Sequence, residues 1–279
     1  MKSGRVVLAL GVGIVGLLGV GAPADAAAKR RIVYFSQTEG YRHGDGIAGV
    51  LKVLKDAAAK DDATFEVEEC TDCTKWTPEY LGKFDAMVSY GGGELTKVKP
   101  PITDENKKAL IEFVKGGKGF VAIHSASYMC PQTKWPEYAE MLDAVFVTHP
   151  WVGKVGMIVE DTKHPATAHL GERFEVKDEI YSFNPWSREK THVLIRLDNA
   201  SVDPKKGEKI RPDLDFGIAW CHPYGKGKVF YTALGHGKNV WAEERFQKHL
   251  LNGLLWTMGD LAGDAPLGTD GRPARAANF

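Results

Sequence analysis

The sequence predicts an α/β fold: a mostly parallel sheet with helices on both faces, extended by antiparallel strands in its second half. Four strand-like runs come first, at Ile32 to Ser36, Thr64 to Glu69, Phe84 to Tyr90 and Gly119 to Ile123. Segments of helical period alternate with them, the pattern of a parallel sheet with crossover helices. Beyond Leu142 further strand-like runs follow with no helix between them, so some must pair antiparallel.

Taken in order, Ile32 to Ser36 is a buried strand followed by the loop Gly40-Tyr41-Arg42-His43-Gly44. Ile47, Val50, Leu51 and Leu54 recur at helical spacing and predict a helix over roughly Gly46 to Lys60. The third strand ends in Gly91-Gly92-Gly93, and Thr103 with Asn106 three residues on opens a helix that closes at Gly116-Gly117. The fourth strand is an unbroken run of small and apolar residues that stops at His124-Ser125-Ala126-Ser127. Trp135 to Leu142 predicts a short helix. Trp151 to Glu160, Phe174 to Phe183, His192 to Leu197, Phe216 to Cys221 and Lys228 to Ala233 predict the later strands, and Trp241 to Met258 the last helix. No internal repeat interrupts this single domain, and residues 260–279, rich in Gly, Ala and Pro, predict a loose tail.

Residues 1–26 have another character. Lys2 and Arg5 precede an apolar run from Val6 to Val20, and Ala24-Asp25-Ala26 offers small residues for cleavage. The run falls short of the ~20 residues that cross a bilayer, so a secretory signal peptide is expected. The mature protein would then be secreted or periplasmic, with no membrane attachment. Removing Lys2, Arg5 and Asp25 from 36 basic and 36 acidic residues leaves 34 against 35, a formal charge of −1. That balance offers nothing to nucleic acid. Cys70, Cys73, Cys130 and Cys221 are the only cysteines. Cys70-Thr71-Asp72-Cys73 has no second pair for a metal site and follows a polar strand, which favours a small local disulfide.

Nine histidines are present. His43, His124, His149 and His236 each sit at a strand–loop junction beside glycine or proline. Carboxyl ends of parallel strands are where α/β proteins bind ligands. One such histidine is commonly bonded to backbone; four at similar junctions favour a shared pocket. Imidazoles there could ligate a divalent metal such as zinc, act as acid and base, or donate to a polar ligand. His164, His169, His192 and His249 are expected to be structural, His249 as a cation late in a helix. In Asp178-Glu179-Ile180-Tyr181, strand alternation puts Glu179 and Tyr181 on one face and Asp178 on the other. Glu179 and Tyr181 could bind a sugar hydroxyl or relay a proton. The N–H groups of Gly92 and Gly93 could point at an anion, with Glu94 beside them. No phosphate-loop or dinucleotide motif is present, so no nucleotide is expected. The pattern around Ser125 is not a nucleophile elbow. Tyr41 and Trp220 could supply aromatic faces for a sugar, although tryptophans are more often core.

Tyr41-Arg42-His43, Gly91 to Thr96, Gly119 to Ala126, His149-Pro150, His164 to Thr167, Asp178 to Tyr181, Ala219-Trp220 and Gly225 to His236 together resemble the trehalose-utilisation (ThuA-like) family over about residues 31 to 259. The resemblance implies a flavodoxin-like sheet related to class-I glutamine amidotransferases. There His124 takes the place of the catalytic cysteine, and an imidazole cannot form the usual thioester. It further implies a carbohydrate substrate, with a partner sugar oxidoreductase supplying keto-sugars. The expectation is an exported hydrolase or lyase for a glycoside or keto-glycoside, with His124, His43 and Glu179 catalytic. Tyr41, Gly92, Gly93, Glu94, Tyr181 and Trp220 are expected to contact substrate. His43, His124, His149 and His236 are the candidate metal ligands. The alternative is a non-catalytic sugar- or metal-binding module using the same pocket.

Overall fold

A computed structural model describes Met1 and residues 28–268. The expected signal segment and most of the expected tail lie outside the described residues. Among these residues no helix is long and apolar enough to cross a membrane.

The described residues form nine strands in one sheet: β1 (Arg30–Phe35), β2 (Phe65–Cys70), β3 (Ala86–Ser89), β4 (Gly119–Ile123), β5 (Phe146–Val159), β6 (Arg173–Phe183), β7 (His192–Leu197), β8 (Gly217–Tyr224) and β9 (Gly227–Thr232). The order across it is β2-β1-β3-β4-β9-β8-β7-β5-β6. The first five in that order are mutually parallel, and the remaining pairings are antiparallel. β3 and β4 are buried along their whole length, which explains their unbroken apolar sequences.

Among the described residues seven helices accompany the sheet: α1 (Gly44–Ala58), α2 (Pro78–Leu81), α3 (Asp104–Lys115), α4 (Pro136–Leu142), α5 (Lys205–Glu208), α6 (Lys238–Trp241) and α7 (Glu244–Met258). The last helix expected over Trp241 to Met258 is α7, starting three residues later, and the short α6 precedes it. α1 packs on α6, and α6 on α7, which lies across β3, β4 and β9; α2, α3 and α4 form a second group that reaches β9. The start of α3 is a full capping box. Thr103 Oγ1 accepts the Asn106 N–H, and Asn106 Oδ1 accepts the Thr103 N–H.

The expected Cys70–Cys73 disulfide does not form. All four cysteines are free and buried. Cys70 instead directs its thiol to the Asp72 carbonyl at 3.3 Å, and the Cys73 N–H donates to Gln37 Oε1 at 2.8 Å. Burial pushes the Cys73 thiol up to about 12, so it is inert as a nucleophile.

Candidate functional site

β1, β4 and β9 are parallel, so the chain leaves all three at one edge of the sheet. His43, His124 and His236 follow them in that order. α1 comes close enough to carry His43 inward because Gly46 has no side chain: a Cβ there would stand 2.3 Å from the Tyr90 hydroxyl and 2.5 Å from the Gly235 carbonyl. His124 ends β4 with φ 48°, a left-handed backbone uncommon for any residue but glycine. The chain turns sharply after this strand into a short 3-10 segment, and an imidazole stands on the turn.

The antiparallel extension supplies the carboxylate. Glu179 comes from β6, and one ligand atom from each of His43, His124, Glu179 and His236 lies within 4.8 Å of the others. Glu179 Oε2 is 3.3 Å from His124 Nε2 and 3.1 Å from His236 Nδ1, and the two nitrogens are 3.3 Å apart. His149 stands at the margin, half-exposed, with Nε2 3.5 Å from Glu179 Oε1. The Tyr181 hydroxyl lies 3.4 Å from His43 Nε2, and its ring packs on His124 at 4.0 Å. Tyr41 closes the outer side, its ring edge-on to His43 at 4.8 Å and stacked with His236 at 6.4 Å.

The donor pattern decides what this triangle needs. His124 Nδ1 is 2.6 Å from the Ala233 carbonyl, which can only accept, so Nδ1 carries the hydrogen. In the neutral ring Nε2 is then a bare lone pair, aimed at a carboxylate oxygen that also only accepts. Two acceptors face each other, and what joins them is either a hydrogen on His236 Nδ1 shared between both or a cation among the three atoms. Tetrahedral zinc, with bonds of about 2.0–2.2 Å to nitrogen and oxygen, sets its ligand atoms roughly 3.3–3.5 Å apart, close to the edges of this triangle. His43 adds a buried Nδ1 with no hydrogen-bond partner.

Electrostatics follow from burial and crowding. Burial and the nearby charges of His124 and His236 bring His43 down to about 4, so its ring is neutral at ordinary pH. Burial alone would raise Glu179, but the His124 bond and the charges of His124, His236 and His149 outweigh it and hold the carboxyl at about 2. Burial lifts the Tyr181 phenol well above its ordinary range, so it stays protonated.

Asp178, given no role by strand alternation, holds the loop that carries His236. Its carboxylate accepts the N–H of Gly235 at 2.7 Å and of His236 at 3.1 Å. The Gly235 carbonyl in turn accepts from Tyr90 and Trp241. A short polar residue beside the chosen glutamate was the only signal available.

Other expected contacts lie elsewhere. Gly92 donates its N–H to the Gln37 carbonyl and Gly93 to the Tyr128 carbonyl, so neither is open to an anion. Glu94 is engaged by Lys97, Lys134 and Thr96. Trp220 is fully buried, packs on Tyr231 and Phe183, and donates to the Leu142 carbonyl; it belongs to the core. The remaining histidines have partners of their own: His164 lies against Cys221, His169 against the Arg245 carbonyl, His192 against Asp161, His222 against the Pro223 carbonyl and His249 against the Ala166 carbonyl. Burial brings His249 down to about 4, so it does not serve as a helix-end cation.

The family profile described as trehalose utilisation (ThuA) matches residues 31–257. The chain belongs to this family. Two solved ThuA-like proteins share the fold of this ThuA-family chain. The one from Bacteroides uniformis ATCC 8492 has a TM-score of 0.66 at 23% identity, over 85% of this chain and 95% of that one. The one from Parabacteroides merdae ATCC 43184 has a TM-score of 0.65 at 16% identity, over 83% and 91%. A β-galactosidase from Bacillus circulans sp. alkalophilus is similar over 84% of this chain but 32% of its own, at TM-score 0.52 and 10% identity. At such identities these are likenesses of fold. No curated protein matches the sequence.

Proposed function

We propose that this ThuA-family chain is a carbohydrate-active enzyme, a hydrolase or lyase for a glycoside or keto-glycoside, working through a divalent metal held by His124, Glu179 and His236, with His43 beside it as the base. The parallel strands at its heart support a flavodoxin-like description, in the order β2-β1-β3-β4-β9. The observation that carries the reading is the triangle of Glu179 Oε2, His124 Nε2 and His236 Nδ1, with edges of 3.1 to 3.3 Å. A bound metal would polarise a sugar carbonyl or hydroxyl.

The chain's own groups divide the remaining work. Glu179, ionised down to about 2, is too weak a base to be the main proton acceptor and suits cation binding. His43, neutral above about 4, can accept a proton. In a keto-glycoside the proton α to the ketone passes to His43, and its electron pair forms a carbon–carbon double bond. The glycosidic C–O bond breaks, and the departing oxygen takes a proton from Tyr181 or water. Tyr181 and His43 are 3.4 Å apart, close enough to exchange that proton afterwards. The substrate would come from an oxidoreductase that makes keto-sugars. The leader expected at residues 1–26 would place the reaction outside the cytoplasm.

A panel of disaccharides and their keto derivatives tests this. Turnover of a keto-glycoside that falls at least about 100-fold in His43→Ala supports the reading. Binding without turnover of any member would leave a sugar-binding module instead.

A further inference from the structure

Apart from Met1 and Leu267, near the ends of the described chain, three large hydrophobic side chains are exposed: Tyr41 at 72%, Val147 at 43% and Val152 at 71%. Two of them, Tyr41 and Val152, border the candidate site. Tyr41 touches the rings of His43 and His236. Val152 is the direct cross-strand partner of Glu179 in the β5–β6 pair. In such a pair the two side chains share a face, with Cβ atoms about 5 Å apart.

Single exposed apolar residues are ordinary on any surface, but Tyr41 and Val152 flank one polar centre, the first against its histidines and the second beside its carboxylate. They are too few for a protein partner, since a stable interface draws on about 20–30 residues a side. The depression between Tyr41, His43 and His236 holds about 250 Å³. Sites that enclose a drug-sized ligand run from about 300 Å³ upward. A substrate larger than one sugar ring must therefore extend beyond it, across the rim. Tyr41 could serve a sugar face or an apolar group. Val152 offers no hydrogen bond to hydroxyls and suits only an apolar group.

We propose that Tyr41 and Val152 form an apolar subsite that receives the aglycone of an aryl or alkyl glycoside, its sugar ring facing Glu179 and the histidines. This rests on the reading of the centre as a glycoside site and names the class of glycoside it prefers.

Calorimetric titration of the full chain with phenyl and methyl glucopyranosides, in both anomers, tests it. Neither probe carries a ketone, so affinity is read without turnover. The phenyl glycoside is expected to bind about tenfold more tightly. Val152→Thr, which keeps the shape and the strand preference, should cut that ratio about threefold without changing methyl glucoside affinity. Equal affinity for the two probes would overturn the aglycone subsite and leave the glycoside reading standing. Binding of neither would overturn the subsite as well, while the keto-glycoside reading is judged by its own panel. A concentration-dependent dimer abolished by Val152→Asp would also overturn the subsite, because the rim would then be covered by a second copy.

Discussion

Asp178 holds the backbone of His236 while the neighbouring Glu179 holds its ring: the His236 N–H donates to Asp178 Oδ1 at 3.1 Å, and His236 Nδ1 lies 3.1 Å from Glu179 Oε2. Two successive residues of β6 thus fix one histidine at two points, and through it the end of β9. The antiparallel extension does more than widen the sheet. It delivers the anion that the parallel half lacks.

Asp178→Asn should loosen that loop. An amide oxygen can replace one acceptor but not the charge, and charge-assisted bonds are worth about 1.5–3 kcal/mol. Denaturant unfolding should show a loss toward the lower end of that range. Zinc or cobalt affinity should fall about 10–100-fold, as when partners of metal ligands are removed. Unchanged metal affinity would mean that the loop holds itself.

Stability of the chelator-treated protein should fall in two stages as pH drops. His43 goes from its ordinary 6.5 to about 4 on folding, so protonation favours the unfolded chain and stability is lost between those values. Glu179 goes from 4.5 to about 2, so its contribution, complete above 4.5, is lost as pH falls toward 2. Thermal unfolding of His43→Gln across this range should show a smaller first stage, since buried His164 and His249 titrate in the same window, and keep the second.

Core and rim should separate cleanly. Trp220→Ala opens a cavity in the core and should cost about 3–5 kcal/mol in unfolding free energy. Tyr41→Ala removes an exposed ring and should change stability by no more than about 0.5 kcal/mol while weakening glycoside binding. Comparable losses of stability from both would contradict the placement of Tyr41 at the mouth.

The thiols offer a separate check. Titration in denaturant without reductant should return all four cysteines as free thiols, and the native protein should react slowly because each is buried. Two thiols per chain would restore the local disulfide favoured by the sequence.

The parallel half was legible because its signals are local. Unbroken apolar runs mark β3 and β4, a capping pair marks α3, and junction histidines mark the strand ends. That His236 joins His43 and His124 could not be read locally: it depends on β9 returning to pair with β4 after four intervening antiparallel strands. Glu179 and Tyr181 stood out through alternation, whereas Asp178 acts through backbone N–H groups distant in sequence. Gly92, Gly93 and Trp220 illustrate the converse limit. A glycine run and an indole look the same in sequence whether their N–H groups are free or already bonded to carbonyls.

On the proposed reading, a cation other than a proton joins His124, Glu179 and His236. Metal content of the purified mature protein, by elemental analysis after dialysis against metal-free buffer and again after reconstitution with zinc, tests this most directly. About one ion per chain should remain, and both His124→Ala and Glu179→Gln should lose it. A folded wild-type protein that takes up no zinc, cobalt or manganese would contradict that reading and leave the triangle joined by a hydrogen on His236 Nδ1.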